Sequence, residues 1–419
     1  MIPLIPAVIF VSLLVFACGM YILDVQKKRK PSFFPLVSFI VPVWNEEKTI
    51  EKTIKAIRSA YPKSKSELLI INDASTDNTL QVLKKLKKEF KFTLINHKKN
   101  KGKVSSVNEA SNLAKGEIIF SVDAETIISK KAVYDVITRF ENKKIGAISC
   151  RHKPIEKSFL SSMQELEYNM FAIIQASYNL TSTLYLWGSC MAFRKKAFNE
   201  IGMLSESAII EDQDAALKLN EKGWKVQQSS VPVHTNVPQN IKSFYKQKVR
   251  WASGCAQCIM NHKKAYLKNP MSVFFMMSYM FIILFSIVAI VHAIPYVLNA
   301  YHFMSYMHLA GFSTLTEVKY LDNIYKPQLN GFLSFVTLSS MFSIPYTLLN
   351  VKKPKHAYNI FWAIPFSIVY FPIYSAISVV GFAVGIYKYP KLKKGERGWY
   401  PDGYKVESEK LINSDIVTN

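Results

Sequence analysis

The stretch "LVSFIVPVWNE" (residues 36–46) decides the fold. Eight residues rich in valine and isoleucine run without a charge and then break at Trp44, Asn45 and Glu46. Such a run reads as a strand buried on both faces that stops in a polar loop. The chain then turns at once to a helical period, with Ile50, Ile54 and Ile57 on one face of "EKTIEKTIKAI". The same alternation repeats downstream. "ELLIIND" (67–73) is a strand, "DNTLQVLKKLKKEF" a helix with Leu80, Leu83 and Leu86 aligned, and "FTLINH" a third strand. "VSSVNEASNLAKG" is a helix ending at Gly116, and "EIIFSVD" (117–123) is a fourth strand. A helix over 130–141 and a strand over 145–150 follow. This order predicts an α/β fold with a mostly parallel sheet covered on both faces.

Ligands of such sheets sit beyond the carboxyl ends of the strands. There the sequence places Glu46 after the first strand, Asn72, Asp73, Ser75 and Asp77 after the second, and Asp123 and Glu125 after the fourth. No GxGxxG follows the first strand and no GxxxxGK[ST] occurs, so a dinucleotide or P-loop site is unsupported.

The flanks are of another kind. Residues 3–23 carry no charge until Asp24, a length that crosses a hydrocarbon core. With no basic start and no small-residue cleavage site, this reads as an anchor. Further apolar runs cover 271–299, 329–350 and 358–387, whereas 31–260 has none long enough. The formal charge is +23, and "QKKRK" follows the first run, which puts the soluble segment in the cytoplasm and favours contact with anionic lipid. No basic-aromatic module for nucleic acid stands out. The expected organisation is an anchor (1–30), an α/β domain (31–260) with interfacial helices near 156–180 and 241–262, three or four transmembrane helices (263–390), and a polar tail (391–419). Cys255 and Cys258 form a CxxC without a second pair, so neither a zinc site nor a redox motif is indicated.

Several residues carry candidate chemistry, each with a plainer alternative. Asp123 and Glu125 flank one alanine and point to the same side in extended chain. They are a hard oxygen pair for Mg2+ or Mn2+, or a pair of solvated carboxylates. "EDQD" (211–214) opens a helix, where acids complement the dipole; Asp212 is also placed to act as a general base. Phe159, Met163, Leu166, Met170 and Ile174 stripe one helix face, for a core or for a membrane surface. His234 in "SSVPVHTNVP" is a structural histidine or a third metal ligand. Gln247, Arg250 and Trp251 in "QKVRWASGC" share a helix face by their i, i+3, i+4 spacing.

Together these pieces resemble family 2 glycosyltransferases, the inverting membrane synthases that include hyaluronan, chitin, poly-N-acetylglucosamine and cellulose synthases. "PVWNE" (42–46), "NDASTDNT" (72–79), "NKGKVSSVN" (100–108), "DAE" (123–125), "GSCMAFR" (188–194), "EDQD" (211–214) and "QKVRW" (247–251) fall in the family's order. The resemblance covers about 36–255 and implies a GT-A type domain in the cytoplasm, flanked by transmembrane helices. It implies that Glu46 and Asp73 bind the nucleoside, Lys103 the nucleotide or its phosphates, and Asp123 and Glu125 a divalent cation, Mg2+ or Mn2+. Asp212 would be the base. Gln247 and Arg250 would steady the diphosphate, while Gly188, Ser189 and Trp251 would face the acceptor.

Three departures bear on donor identity more than on reaction class. Glu125 stands for a second aspartate, Trp44 for a tyrosine, and Asn236 for a glutamate. The implied partners are a UDP-sugar, a polysaccharide or lipid-linked acceptor, and membrane lipid. Transfer of one sugar to a lipid, or a catalytically silent transporter or complex subunit, are the competing readings.

Overall fold

The computed structural model describes residues 16–24, 26–27, 31–269 and 365–393. The expected runs at 271–299 and 329–350 lie outside them, as do most of the 391–419 tail and parts of the runs at 3–23 and 358–387. Seven strands form one sheet: β1 (Val37–Val43), β2 (Ser66–Asn72), β3 (Thr93–Asn96), β4 (Ile118–Val122), β5 (Ile145–Pro154), β6 (Cys190–Arg194) and β7 (Lys225–Thr235), in the order β3-β2-β1-β4-β6-β5-β7. Four of the strand pairings are parallel; β6 alone runs against both its neighbours, β4 and β5. The mostly parallel sheet expected from the alternation is present.

Both faces of β1 are buried. Val37, Phe39, Val41 and Val43 enter one core with Ile50, Ile54, Ile57, Leu83 and Val136. Ile40 enters the other, with Val107, Ala110, Phe198, Ala215 and Leu219. This is the two-residue side-chain period of a strand sandwiched by helices. The stripe expected on the helix Phe159–Tyr178 is core for most of its length: Met163, Leu166 and Met170 are buried, while Phe159 is exposed.

The sheet and its helices lie in the compact unit Val15–Val273 with Gly381–Asn419. Within it the helix Ile241–Asn261 is packed tightly. A Cβ on Gly381 would come within 2.8 Å of Ala252, and one on Gly385 within 2.6 Å of the Ser253 carbonyl oxygen. The Ser253 hydroxyl donates to the Gly381 carbonyl at 2.6 Å. Among the described residues one helix, over Phe371–Pro390, is long and apolar enough to cross a membrane.

Candidate active site

The first two βα loops are knitted together at the carboxyl edge. The Ser75 hydroxyl accepts from the Asn45 amide at 3.0 Å, and the Asn45 side chain accepts from the Thr76 amide at 2.8 Å. Asn45 and Ala74 both sit in the left-handed region, at φ 56° and 57°. For alanine that conformation costs about 1 kcal/mol, which the surrounding loop contacts must hold in place.

Asp73 is buried and accepts from the His97 ring at 2.7 Å and from the Lys101 and Gly102 amides at 2.9 and 2.8 Å. It anchors the turn that launches the helix Lys103–Leu113. A carboxylate offers about four acceptor directions, so these bonds leave little of Asp73 for a base edge.

Lys103, the first residue of that helix, joins the two halves of the site. Its ammonium is 2.7 Å from Asp123 and 3.4 Å from Glu211, and it donates to the Gly188 carbonyl at 3.2 Å. Burial disfavours the charge, but Asp123 and Glu211 outweigh it and hold Lys103 above its ordinary pKa. Four sequence motifs 108 residues apart at their extremes therefore meet at one nitrogen.

The helix Glu211–Glu221 supplies three acids to three different surroundings. Glu211 faces Lys103 and Arg250, which overcome burial and keep it below the usual carboxylate range. Asp214 is drawn away to His262 at 2.9 Å, Lys218 at 3.1 Å and the Ser205 hydroxyl at 2.6 Å. Asp212 has no ion-pair partner within 4 Å among the described residues, only the Gln213 amide at 2.7 Å. Burial and then the neighbouring Glu211 charge raise its pKa to about 7. That matches a group able to take a proton near neutrality.

The turn before β6 lies against this acid. A Cβ on Gly188 would be 2.8 Å from Asp212 Oδ2. The carbonyl of Ser189, next along, accepts from the Asp123 amide at 2.9 Å. Because β6 is antiparallel to β4, its start meets the end of β4, and the two predicted motifs become neighbours.

Asp123 and Glu125 are candidates to hold a divalent cation. Glu125 is raised to about 7, by burial first and by Glu46 and Asp123, against a 3.0 Å hydrogen bond donated by Asn236. Burial, opposed by Thr49 and reinforced by Asp123 and Asp77, likewise raises Glu46. Carboxylates that disfavour each other's charge in this way suit a cation completed by substrate oxygens and water. Among the described residues no three His, Cys, Asp or Glu side chains gather as a ready-made metal site. The backbone of His234 pairs with Ile127, two residues past Glu125, but its side chain is exposed and its charged neighbours are Lys153, Glu165 and Arg151, not the carboxylate pair.

Gln247, Arg250 and Trp251 lie on the helix Ile241–Asn261. Gln247 Oε1 is buried without a hydrogen-bond partner among the described residues. Arg250 reaches the Ile209 carbonyl at 3.5 Å and acts electrostatically on both Glu211 and Asp212. Trp251 packs against Tyr168, ring centres 6.4 Å apart, and Lys248 Nζ lies 4.1 Å from its ring centre. Lys248 is fully buried and paired with Glu167 at 2.7 Å.

Four further residues belong to the site although the sequence assigns none of them a role. Glu211 partners Lys103, Asn236 holds Glu125, Lys248 supports Trp251, and His152 bonds Ser189. Glu211 and Lys248 lie within the quoted motifs "EDQD" and "QKVRW" and Asn236 stands out only as a departure, whereas His152 lies in no motif.

The family description "Glycosyl transferase family 2" matches residues 38–202. Residues 38–202 are a glycosyl transferase family 2 domain. Beyond this domain, likeness extends along most of the chain. The poly-beta-1,6-N-acetyl-D-glucosamine synthase of Staphylococcus epidermidis is 27% identical over 372 residues, 87% of this chain and 85% of that protein. Its counterpart in Staphylococcus aureus (strain COL) is 30% identical over 223 residues, 52% of this chain and 54% of that protein. The chain is homologous to these synthases. A mannosyltransferase from Pyrobaculum calidifontis, solved in complex with GDP-Man and Mn2+, superposes with a TM-score of 0.53 at 18% identity, covering 89% of this chain and 97% of that one. The family 2 domain thus has a GT-A-like α/β fold.

Proposed function

We propose that this chain is a membrane-embedded inverting glycosyltransferase that moves a sugar from a UDP-sugar onto a growing polysaccharide and passes the polymer across the membrane. One observation carries the reaction class: a buried carboxylate, Asp212, raised to about 7, lies within electrostatic reach of Lys103 and Arg250 and against Gly188. A base with two cations beside it suits removal of a hydroxyl proton beside a departing diphosphate. The names of the relatives put N-acetylglucosamine first among the sugars to test.

Asp212 takes the proton from the acceptor hydroxyl, whose oxygen attacks the anomeric carbon from the face opposite the nucleotide. Arg250, with its planar guanidinium, and Gln247, with its free Oε1, orient the donor at the end of the helix face. Lys103 holds Asp123 and Glu211 apart from direct repulsion and leaves Asp212 uncommitted. Glu46 and Asp73 shape the nucleoside side. Gly188, Ser189 and Trp251 form the acceptor side. Asp123 and Glu125 would hold Mg2+ or Mn2+, which when bound neutralises charge on the leaving diphosphate. This is catalysis by positioning and electrostatics.

The membrane reading draws on the exposed surface. Ile155, Phe159, Ile241 and Tyr245 stand exposed beside Lys157 and Lys242, where hydrogen bonds from Ser158 to Gln239 and from Gln164 to Pro238 join the starts of two helices. Apolar side chains set among lysines suit an anionic lipid surface. With the N-terminal apolar run as anchor, the domain faces the cytoplasm.

The test is UDP release by the purified full chain in detergent, with Mn2+ or Mg2+ and a panel of UDP-sugars. Release with one donor and a ladder of products supports polymer synthesis. A single product on a lipid acceptor supports single transfer, and no release with any donor overturns the enzymatic reading.

A further inference from the structure

His152 lies on β5 and is buried. Its Nε2 is 2.5 Å from the Ser189 hydroxyl. Trp187 and Tyr168 hold the ring edge-on, at centroid distances of 4.6 and 5.7 Å. Burial, with Lys103 and Lys248 nearby, lowers its pKa to about 3, so the imidazole is neutral and a single proton lies between ring and hydroxyl.

The turn it grips is the one that touches everything else. Trp187 is tied by its indole N–H to Gln175 at 2.7 Å. Gly188 accepts from Lys103 and lies against Asp212. Ser189 accepts at its carbonyl from the Asp123 amide. Of these three successive residues, Ser189 alone has its side chain secured by His152.

We propose that His152 is a positioning residue: through Ser189 it sets the turn Trp187–Ser189, and so the placement of Gly188 against the Asp212 carboxylate. The inference rests on the sugar-transfer reading for its kinetic consequence but not for its structural one. The imidazole acts through Ser189. It fixes the backbone that lies against Asp212 and bonds the Asp123 amide.

The test compares His152→Phe, which keeps an aromatic ring between Trp187 and Tyr168, with His152→Gln, whose carboxamide restores a polar atom near Nε2. In the full chain, His152→Phe lowers kcat by about 10–100-fold, as expected for a displaced catalytic geometry. UDP affinity stays within about twofold, because the ring's contacts among the described residues are Ser189, Tyr168 and Trp187, not Glu46 or Asp73; His152→Gln recovers most of kcat. Amide hydrogen exchange over residues 186–191 speeds up in His152→Phe and returns toward the wild-type rate in His152→Gln, with β1 and β2 unchanged. Unaltered exchange over this turn, unaltered kcat, or an equal loss of UDP binding would each overturn the proposal. If the wild-type chain releases no UDP from any donor, the transfer reading fails by itself, and the exchange comparison still decides whether His152 holds the turn.

Discussion

Gly188 and Asp212 occupy touching positions: a methyl group on the glycine would lie 2.8 Å from the carboxylate oxygen Oδ2 of the aspartate. Gly188 has no left-handed backbone angle, so alanine is sterically forbidden there only by that one side chain. An acid at the start of a helix can swing aside at small cost in stability. Gly188→Ala is therefore expected to keep the fold and the thermal midpoint while kcat falls by roughly 100-fold from the displaced acid. Undiminished turnover in the alanine variant would show that Asp212 need not stay where it is.

Asp212→Asn removes the proton acceptor without changing shape. Turnover should drop by about 10³-fold with UDP affinity retained. In the parent, the kcat profile should climb from pH 6 to pH 8, because a base raised to about 7 gains its unprotonated form across that interval. A flat profile in the parent, or one unchanged by the asparagine, would point to another base.

The buried pair Lys248–Glu167 should respond asymmetrically. Lys248→Met takes the ammonium away from a buried carboxylate and should cost roughly 3–5 kcal/mol of stability. Replacing both members by apolar residues should return most of it, as read by thermal unfolding in detergent. Equal losses in the single and double variants would argue that the ammonium matters chiefly for Trp251, and acceptor KM would then rise in both.

His262 offers a pH-dependent contribution. Burial opposes its charge, but Asp214 at 2.9 Å and Glu221 at 3.2 Å outweigh it and raise the pKa above the ordinary 6.5. Stabilisation of this sign is complete below the unfolded-state value and disappears as pH climbs through the folded one. His262→Gln should consequently lower the thermal midpoint more at pH 6 than at pH 9. A penalty independent of pH would mean the imidazole acts by shape alone.

How far the sequence spoke depended on where the information lay. β1 was legible because a strand buried on both faces is apolar at every position, and Asp123 and Glu125 were legible because they follow such a strand. "CMAFR" shows no strand of its own in the sequence: five residues carry little periodicity, and its reversed direction depends on what it pairs with. The three acids of "EDQD" could not be ranked by the helix dipole, which favours them alike. Contacts with Lys103 and His262, from segments 108 and 48 residues away, separate Glu211 and Asp214 from Asp212. His152 gave no sign at all, since its partners are an indole, a phenol and a hydroxyl brought together only by folding. His234, conspicuous in sequence, is exposed beside Lys153, Glu165 and Arg151.

Gly381 and Gly385 let two helix backbones approach as closely as side chains permit. Meshed cogs cannot slip singly. A tilt or axial shift of the C-terminal helix must carry along the segment bearing Gln247 and Arg250, so a bulky residue at 385 should perturb a reaction centre it never meets. Leucine there, tested by kcat at unchanged UDP affinity, would reveal whether this mechanical linkage operates.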